Sequence, residues 1–474
     1  MPSDHAPPAR TVWLEQQPHA IPDDSPHVPS LIIGAGACGL TAALVLADAG
    51  VPCVVIERDA QAAGSTALSS GFIPAAGTLA QRQQAIEDSP EQFALDIQHK
   101  AGGDAAPQLV RAYTEAIAPA LDFLQQRGLQ WGVLDGFLYP GHSRHRMHCL
   151  KERTGAALMA ALSSAAEASG VPVLCHATAR TLVVNEQRHV RAVQLERPDG
   201  AIETIRCDTL LLACNGFGGD AALRARFLPA MAHAPFAGHT GNEGSAVRWG
   251  EALGAPLADM GACQGHGSWA VPQGALISWA LMVEGGVQIN ARGERFHDES
   301  RGYSEAAVPV LAQPGGIAWC VFDDTLLTLA RSFPDFVQAE QAGALRSAGD
   351  VAALAQIIGC DAGSLQRTLD SISPDRPDAF GRHFSRTLRP PLHAVRVTGA
   401  LFHTQGGLDV DAQCRVRGPG GTLLPNVWAA GGAARGVSGP RLEGYLSGNG
   451  LLSAVAGGWI AGHAMAACLG RSSR

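Results

Sequence analysis

Residues 30 to 58 constrain this chain more than any other stretch. They read Ser30-Leu-Ile-Ile-Gly34-Ala-Gly36-Ala-Cys-Gly39-Leu, then an Ala/Leu/Val-rich run to Gly50, then Val51-Pro-Cys-Val-Val-Ile-Glu57-Arg58. A short apolar strand enters Gly-x-Gly-x-x-Gly, a helix follows, and a second apolar strand ends on an acid. That order predicts a dinucleotide-binding βαβ unit. Gly34 allows the tight turn, Gly36 lets the backbone approach a pyrophosphate, and Gly39 lets the helix pack close to the strand. The helix N-terminus then offers free N–H groups and a partial positive charge to phosphate. Glu57, 18 residues after Gly39, stands where a carboxylate takes ribose hydroxyls. The alternative is a βαβ unit whose glycines serve only packing.

Length and composition narrow the rest. A chain of 474 residues is too long for one compact core and predicts two domains. With 46% hydrophobic and 16% charged residues it reads as an ordinary globular α/β protein. The net charge of −8 comes without blocks of like charge, so nothing points to nucleic acid or an anionic membrane. Eleven cysteines show no Cys-x-x-Cys pattern, which argues against iron–sulfur, structural zinc or c-type haem. An odd, unpatterned set suggests a reducing compartment. Apolar stretches are interrupted by Gly, Arg or Asp, so no membrane span is expected. The expectation is a cytoplasmic protein with a disordered N-terminal arm over residues 1–28.

Further along, Gly64 to Gly77 is small, glycine-punctuated and hydroxyl-bearing, suited to lie along a flat cofactor or to be a plain surface loop. Residues 90–128 read as helix, with apolar spacing near 3.6. Strands are expected at Val171–Cys175, Ala179–Asn185, His189–Glu196 and Ile202–Cys207. Another, Thr209 to Ala213, stops on Asn215-Gly216 and returns to the cofactor. His142, His145 and His148 are spaced by three, but the arginines between them would repel a cation and no carboxylate completes a ligand set. That cluster points instead to anion or cofactor contact. The middle, 264–402, is richer in Trp, Pro and polar turns. Glycine-rich chemistry then resumes at His403-Thr-Gln-Gly-Gly407, Trp428-Ala-Ala-Gly431-Gly432 and Gly444-Tyr-Leu-Ser-Gly-Asn-Gly450, the last opening a terminal helix. The fold class expected is therefore α/β: a Rossmann-like dinucleotide domain in two parts, 29–263 and 403–474, with an α+β capping domain, 264–402, inserted between them.

The ordered set of motifs resembles the flavoprotein family of soluble fumarate reductases, succinate dehydrogenase flavin subunits, urocanate reductase and 3-ketosteroid dehydrogenases. It comprises Gly34–Gly39, Gly64–Gly77, Thr240-Gly-Asn-Glu-Gly-Ser, Gly293-Glu-Arg-Phe-His-Asp-Glu299, Val321-Phe-Asp-Asp324, His403–Gly407 and Trp428–Gly432, and covers about residues 28 to 468. The resemblance implies FAD, a capping domain closing over the flavin, and hydride transfer between flavin N5 and a carbon beside an electron-withdrawing group. FAD contacts are implied at Gly34, Ala35, Gly36, Ala37, Gly39, Glu57, Arg58, Ser65, Thr66, Ser70, Gly71, Ala179, Asn215, Gly216, Gly431, Leu451 and Leu452. The acid that the family carries after Ala-Ala-Gly, which holds the ribityl chain, is replaced by Gly432.

Departures at the substrate end redirect the expectation. The arginine acid of fumarate reductases falls on Tyr303, and its charged relay on Trp279 and Met282. A tyrosine there resembles the ketosteroid dehydrogenases, where it exchanges a proton beside a ketone. Tyr445 falls in the loop where those enzymes use a tyrosine to hold the carbonyl. His403 matches a substrate-binding histidine, His266 and Ser278 further carboxylate-binding positions, and Arg441 an arginine that clamps a carboxylate. For each tyrosine the alternative is a core aromatic; for Arg441 it is an exposed arginine. The expected function is FAD-dependent transfer of hydrogen across a C–C bond conjugated to a carbonyl. The alternatives are a reductase or dehydrogenase of an unsaturated carboxylate and a non-catalytic flavin sensor or electron carrier. The partners expected are a small-molecule substrate and an external electron donor or acceptor.

Overall fold

The computed structural model describes residues 13–16, 21–134 and 137–472. A nine-stranded sheet carries the dinucleotide motif. His27–Ile33 runs parallel beside Ile202–Leu212, and Cys53–Ile56 and then the edge strand Val173–Leu174 follow it in parallel. Leu31, Ile32, Val55 and Ile56 are fully buried, as expected for parallel strands covered on both faces. The helix Ala37–Asp48 crosses over from the first strand to the second, and the terminal helix Asn449–Ser472 packs along it. That terminal helix is the one helix among the described residues long and apolar enough to cross a membrane, but half of it is buried in the protein, against this core.

Three local expectations are corrected. Ile202–Leu212 is a single strand rather than two. Its first half pairs antiparallel with Val190–Glu196 and its second half runs parallel to His27–Ile33. No Gly or Pro interrupts it, so the chain changes partners without breaking. Residues 90–128 form two helices, Pro90–Lys100 and Pro107–Gln125. The break falls at Gly102 and Gly103, both with positive φ, ahead of Pro107 at the second helix start. The N-terminal arm is partly ordered: Leu14 and Glu15 pair parallel with Leu182 and Val183, and Trp13 lies edge-on to Trp249. Arg248 lies over the Trp13 ring as well, at 5.6 Å from its centroid. Residues 1–12 and 17–20 of the expected arm lie outside the described residues.

A second, antiparallel sheet is built from Ala275–Leu276, Cys263–Ala270, Leu392–Thr404, Ile317–Asp323 and Val287–Ile289, with Leu345–Ala348 added along Leu392–Thr404. Its inner face is clamped by a buried ionic cluster in which Glu299 takes both Arg295 and Arg382 while Arg295 also holds Asp378. Arginine's fixed fork suits such a shared acceptor. Removing any one member would leave the remaining buried charges unbalanced.

One ion pair joins the two sheets' territories. Lys100, at the end of Pro90–Lys100, pairs with Glu305 on the helix Tyr303–Leu311 and donates to the Arg301 carbonyl at 3.1 Å. Burial raises the Glu305 carboxyl's pKa, and Lys100 partly offsets the rise. A raised carboxyl pKa disfavours the folded state as pH rises through it. Lys100→Met removes the offset, so its cost in thermal stability is expected to be larger at pH 8 than at pH 5. Melting curves at both values check this; an equal loss would show that the pair is screened.

Candidate active site

The cofactor cradle is assembled by backbone geometry. Gly34 leaves the first strand at φ +108°, and a Cβ there would lie 2.5 Å from the Ala213 carbonyl oxygen. A Cβ on Gly39 would lie 1.9 Å from Gly34 O, so the helix can start here only with glycine. Gly36 is the N-cap and makes no side-chain cap, leaving the first turn open to an anion. Buried Glu57 accepts the Ala35 and Asp59 N–H groups, each at 3.0 Å, which orients its carboxylate at the strand end. Thr66 Oγ1 accepts the Ala37 N–H at 3.2 Å. Ser65 Oγ accepts from the backbone of His239 and the side chain of Asn242. Gly71 and Ser69 lock the hydroxyl-bearing loop, including Ser70, against Thr154–Gly155. Arg58 is committed to the Gly241 carbonyl and Glu243, so its charge is already partnered. Ala179 is a buried strand residue opposite Leu195.

The far end of the cradle brings Asn215, Gly216, Gly431 and Gly432 to the end of Leu392–Thr404. Asn215 holds φ +63°, and its Oδ1 accepts the Gly216 N–H at 2.8 Å. A Cβ on Gly432 would stand 2.1 Å from Asn215 Oδ1 and 2.8 Å from His403 Nε2. Position 432 thus has no room for an acid, because Asn215 and His403 take its place. Leu451 and Leu452 open the terminal helix, whose first residue, Asn449, keeps a buried Oδ1 without a partner. An open helix N-cap, a buried acid at the second strand's end and an unpartnered amide oxygen at a second helix start all fit FAD.

The substrate end is aromatic. Tyr303 begins the helix Tyr303–Leu311, and its ring stacks on His266 at 4.7 Å and 16°. Tyr445 lies edge-on to Tyr303 at 6.2 Å. The two phenols share one buried corner with Ser447 and the Gly448 and Gly450 backbone. Burial raises both phenols, Tyr445 to about 12 and Tyr303 well above its ordinary value. Burial also pushes His266 down to about 3 and His403 to about 4. At neutral pH the cluster is therefore two neutral phenols and two neutral imidazoles. Trp279, where the family's relay carboxylate would stand, donates to the Glu299 carbonyl at 2.9 Å and meets His266 edge-on. Ser278 Oγ accepts the Ala280 N–H.

Two expectations fail here. Arg441 does not join the cluster: its side chain is 59% exposed and pairs with Asp104 at 3.0 Å. Gly439-Pro440 carries the chain past Asp104, so the guanidinium finds a surface acid first. Arg146 is no anion site either. It is fully buried, with Nε and Nη2 on the two Asp88 oxygens and Nη1 on Asp96. His142 donates from Nε2 to the Ser447 carbonyl at 2.9 Å, and His148 bonds Thr78. This cluster is scaffolding beneath the Tyr445 loop, and no metal-ligand group is present among the described residues.

Sequence reasoning also missed Tyr139. It packs on Phe137 at 4.6 Å and Phe72 at 6.4 Å, and burial above all, with lesser effects of Cys149, Asp335 and Tyr445, raises its phenol's pKa. Scarcity was the available signal: with only four tyrosines in the chain, three gather here.

The fold and the cradle define a flavoprotein with a Rossmann-like sheet and a second sheet alongside. The profile of the FAD binding domain family matches residues 30–451, and the chain belongs to that family. It is 26% identical over 446 residues to an NADH:fumarate oxidoreductase of Klebsiella pneumoniae (strain 342), covering 91% of this chain and 47% of that protein. The chain thus spans about half the length of that relative. The open conformation of a flavocytochrome c3 fumarate reductase superposes with a TM-score of 0.81 at 25% identity, covering 94% of this chain and 79% of that one. A 3-ketosteroid-Δ4-(5α)-dehydrogenase of Rhodococcus jostii RHA1 shares the fold, with a TM-score of 0.78 at 23% identity, covering 95% and 99%.

Proposed function

We propose that this protein moves hydrogen across a C–C bond conjugated to a ketone carbonyl. The observation that carries the reading is the neutral cluster of Tyr303, Tyr445, His266 and His403, with Arg441 turned away to Asp104. A substrate carboxylate calls for a guanidinium fork. A ketone oxygen asks only for neutral donors aimed at the charge it develops. FAD, when bound, supplies the two-electron hydride chemistry. Tyr445, with His403 beside it, holds the carbonyl oxygen and acidifies the neighbouring C–H. Tyr303 exchanges the proton on that carbon. The Gly448 and Gly450 backbone groups lower the Tyr445 phenol's pKa against the rise that burial imposes. Electrons are exchanged with an external carrier. Eleven unpaired cysteines support a reducing compartment, the cytoplasm.

The test is anaerobic. Dithionite-reduced protein, freed of excess reductant, is mixed with ring enones or with fumarate and urocanate, and flavin absorbance is followed. Reoxidation by enones alone is expected. Reoxidation by a carboxylate alone overturns the reading in favour of the carboxylate class, and cycling only with one-electron dyes overturns it in favour of a carrier. In the same assay Arg441→Gln is expected to change the enone rate less than twofold; a loss of tenfold or more would mean that Arg441 enters the site during turnover.

A further inference from the structure

His403 is tied through a chain of hydrogen bonds to three buried residues, the last of them Asn449 at the start of the terminal helix. Asn449 Nδ2 donates to Ser438 Oγ at 3.0 Å, Ser438 Oγ donates to Gln405 Oε1 at 3.1 Å, and Gln405 Nε2 donates to His403 Nδ1 at 2.8 Å. Gln405 and Ser438 are 2% exposed and Asn449 is 0% exposed. Read this way, every step has a donor and an acceptor, and His403 Nδ1 carries no hydrogen. The neutral ring's proton must then sit on Nε2. The opposite sense can be drawn by turning both amides. It would bury the Asn449 NH2 group with no acceptor, whereas the first sense leaves one unpartnered carbonyl oxygen, Asn449 Oδ1. Buried orphan donors are rarer than under-satisfied carbonyls, which selects the first sense.

The chain ends where the chemistry is expected. Nε2 lies against Gly432, 2.8 Å from the point a Cβ would occupy. A Cβ on Gly450 would lie 3.8 Å from His403 Nδ1, 3.8 Å from Gln405 Nε2 and 3.9 Å from the Tyr445 oxygen, so the relay and the phenol share one corner. We propose that Gln405, braced by Ser438 and Asn449, is a positioning residue that locks His403 as its Nε2–H tautomer, a fixed hydrogen-bond donor to an oxygen acceptor above Gly432. The acceptor is a substrate carbonyl or a cofactor hydroxyl, which offer the same chemistry. Only the first rests on the function proposed above. Gln405→Glu turns the relay round, because a carboxylate accepts from Nδ1–H and takes the Nε2 donor away or charges the ring.

The test reads the tautomer directly. FAD-loaded protein labelled with [15N]histidine is examined by long-range 1H–15N correlation at pH 7, with His403 assigned by difference from His403→Gln. Wild type is expected to show a protonated Nε2 and a bare Nδ1, and Gln405→Glu a protonated Nδ1. Flavin absorbance and circular dichroism confirm that the variant is folded, and Gln405→Met, which removes the bond without adding charge, is expected to give a mixture of tautomers. A protonated Nδ1 in wild type, or an unchanged tautomer in both variants, overturns the proposal. A shift of the Nε2–H signal on FAD loading identifies a cofactor hydroxyl. A shift only on adding ring enone identifies the substrate, and Gln405→Glu should then slow enone-driven reoxidation about 10²-fold. A signal that moves with neither overturns the donor role. If enones fail to reoxidise the flavin while the tautomer and its FAD-dependent shift are as stated, the proposed function fails and the relay stands.

Discussion

Tyr303→Phe is expected to keep FAD bound and to lose about 10²- to 10⁴-fold in turnover, the range for removing a positioned general acid or base. The ring would keep its stacking on His266 at 4.7 Å, so packing is preserved and only the hydroxyl is lost. That hydroxyl belongs to the one tyrosine carried by the second sheet's helices. Stopped-flow measurement of flavin reoxidation by a ring enone checks the prediction. A change below threefold would remove Tyr303 from proton transfer and leave Tyr445 or Tyr139 to do it.

Gly432→Glu is the second large effect, and its direction opposes what the family pattern suggests. Restoring the acid at this position should tighten FAD if the surroundings matched those of the relatives. Here the new Cβ would stand 2.1 Å from Asn215 Oδ1 and 2.8 Å from His403 Nε2. Neither group can retreat cheaply. Asn215 Oδ1 holds the Gly216 N–H, and His403 is tied to Gln405. Overpacking of this kind costs about 1–3 kcal/mol or more, enough to weaken FAD retention about tenfold or beyond. Fluorescence titration of the apoprotein with FAD measures it. Tighter binding would show that Asn215 swings aside and that the packing around Gly432 is plastic.

The two variants probe parts of the site that differed in legibility. The cofactor end was readable because each requirement is local. A turn of positive φ, a helix start without a side-chain cap and an acid at a strand end all lie within 30 residues of one another, and each leaves its residue type in the sequence. Arg58 was read with the same motif, yet the structure commits it to Gly241 and Glu243, nearly 200 residues away, which no local pattern announces. At the substrate end, Tyr303, Tyr445, His266 and His403 were picked out by family position, and the structure packs the first three ring to ring. Arg441 was picked out in the same way and lies outside, because a neighbouring loop offers it Asp104. Gln405 sat unremarked inside a quoted motif. A glutamine gains meaning only when its two ends are seen to face Ser438 and His403.

Sequence alone determined the class of this protein: a glycine turn between two buried strands admits few folds, and backbone sterics enforce it residue by residue. Tertiary structure decided which side chains meet. The ionic partners of Arg146 and Arg441, the absence of room at Gly432 and the proton's place on His403 all depend on atoms far apart in the chain. Burial makes those pairings selective, because an unpartnered charge or donor inside the protein costs more than any local preference can return.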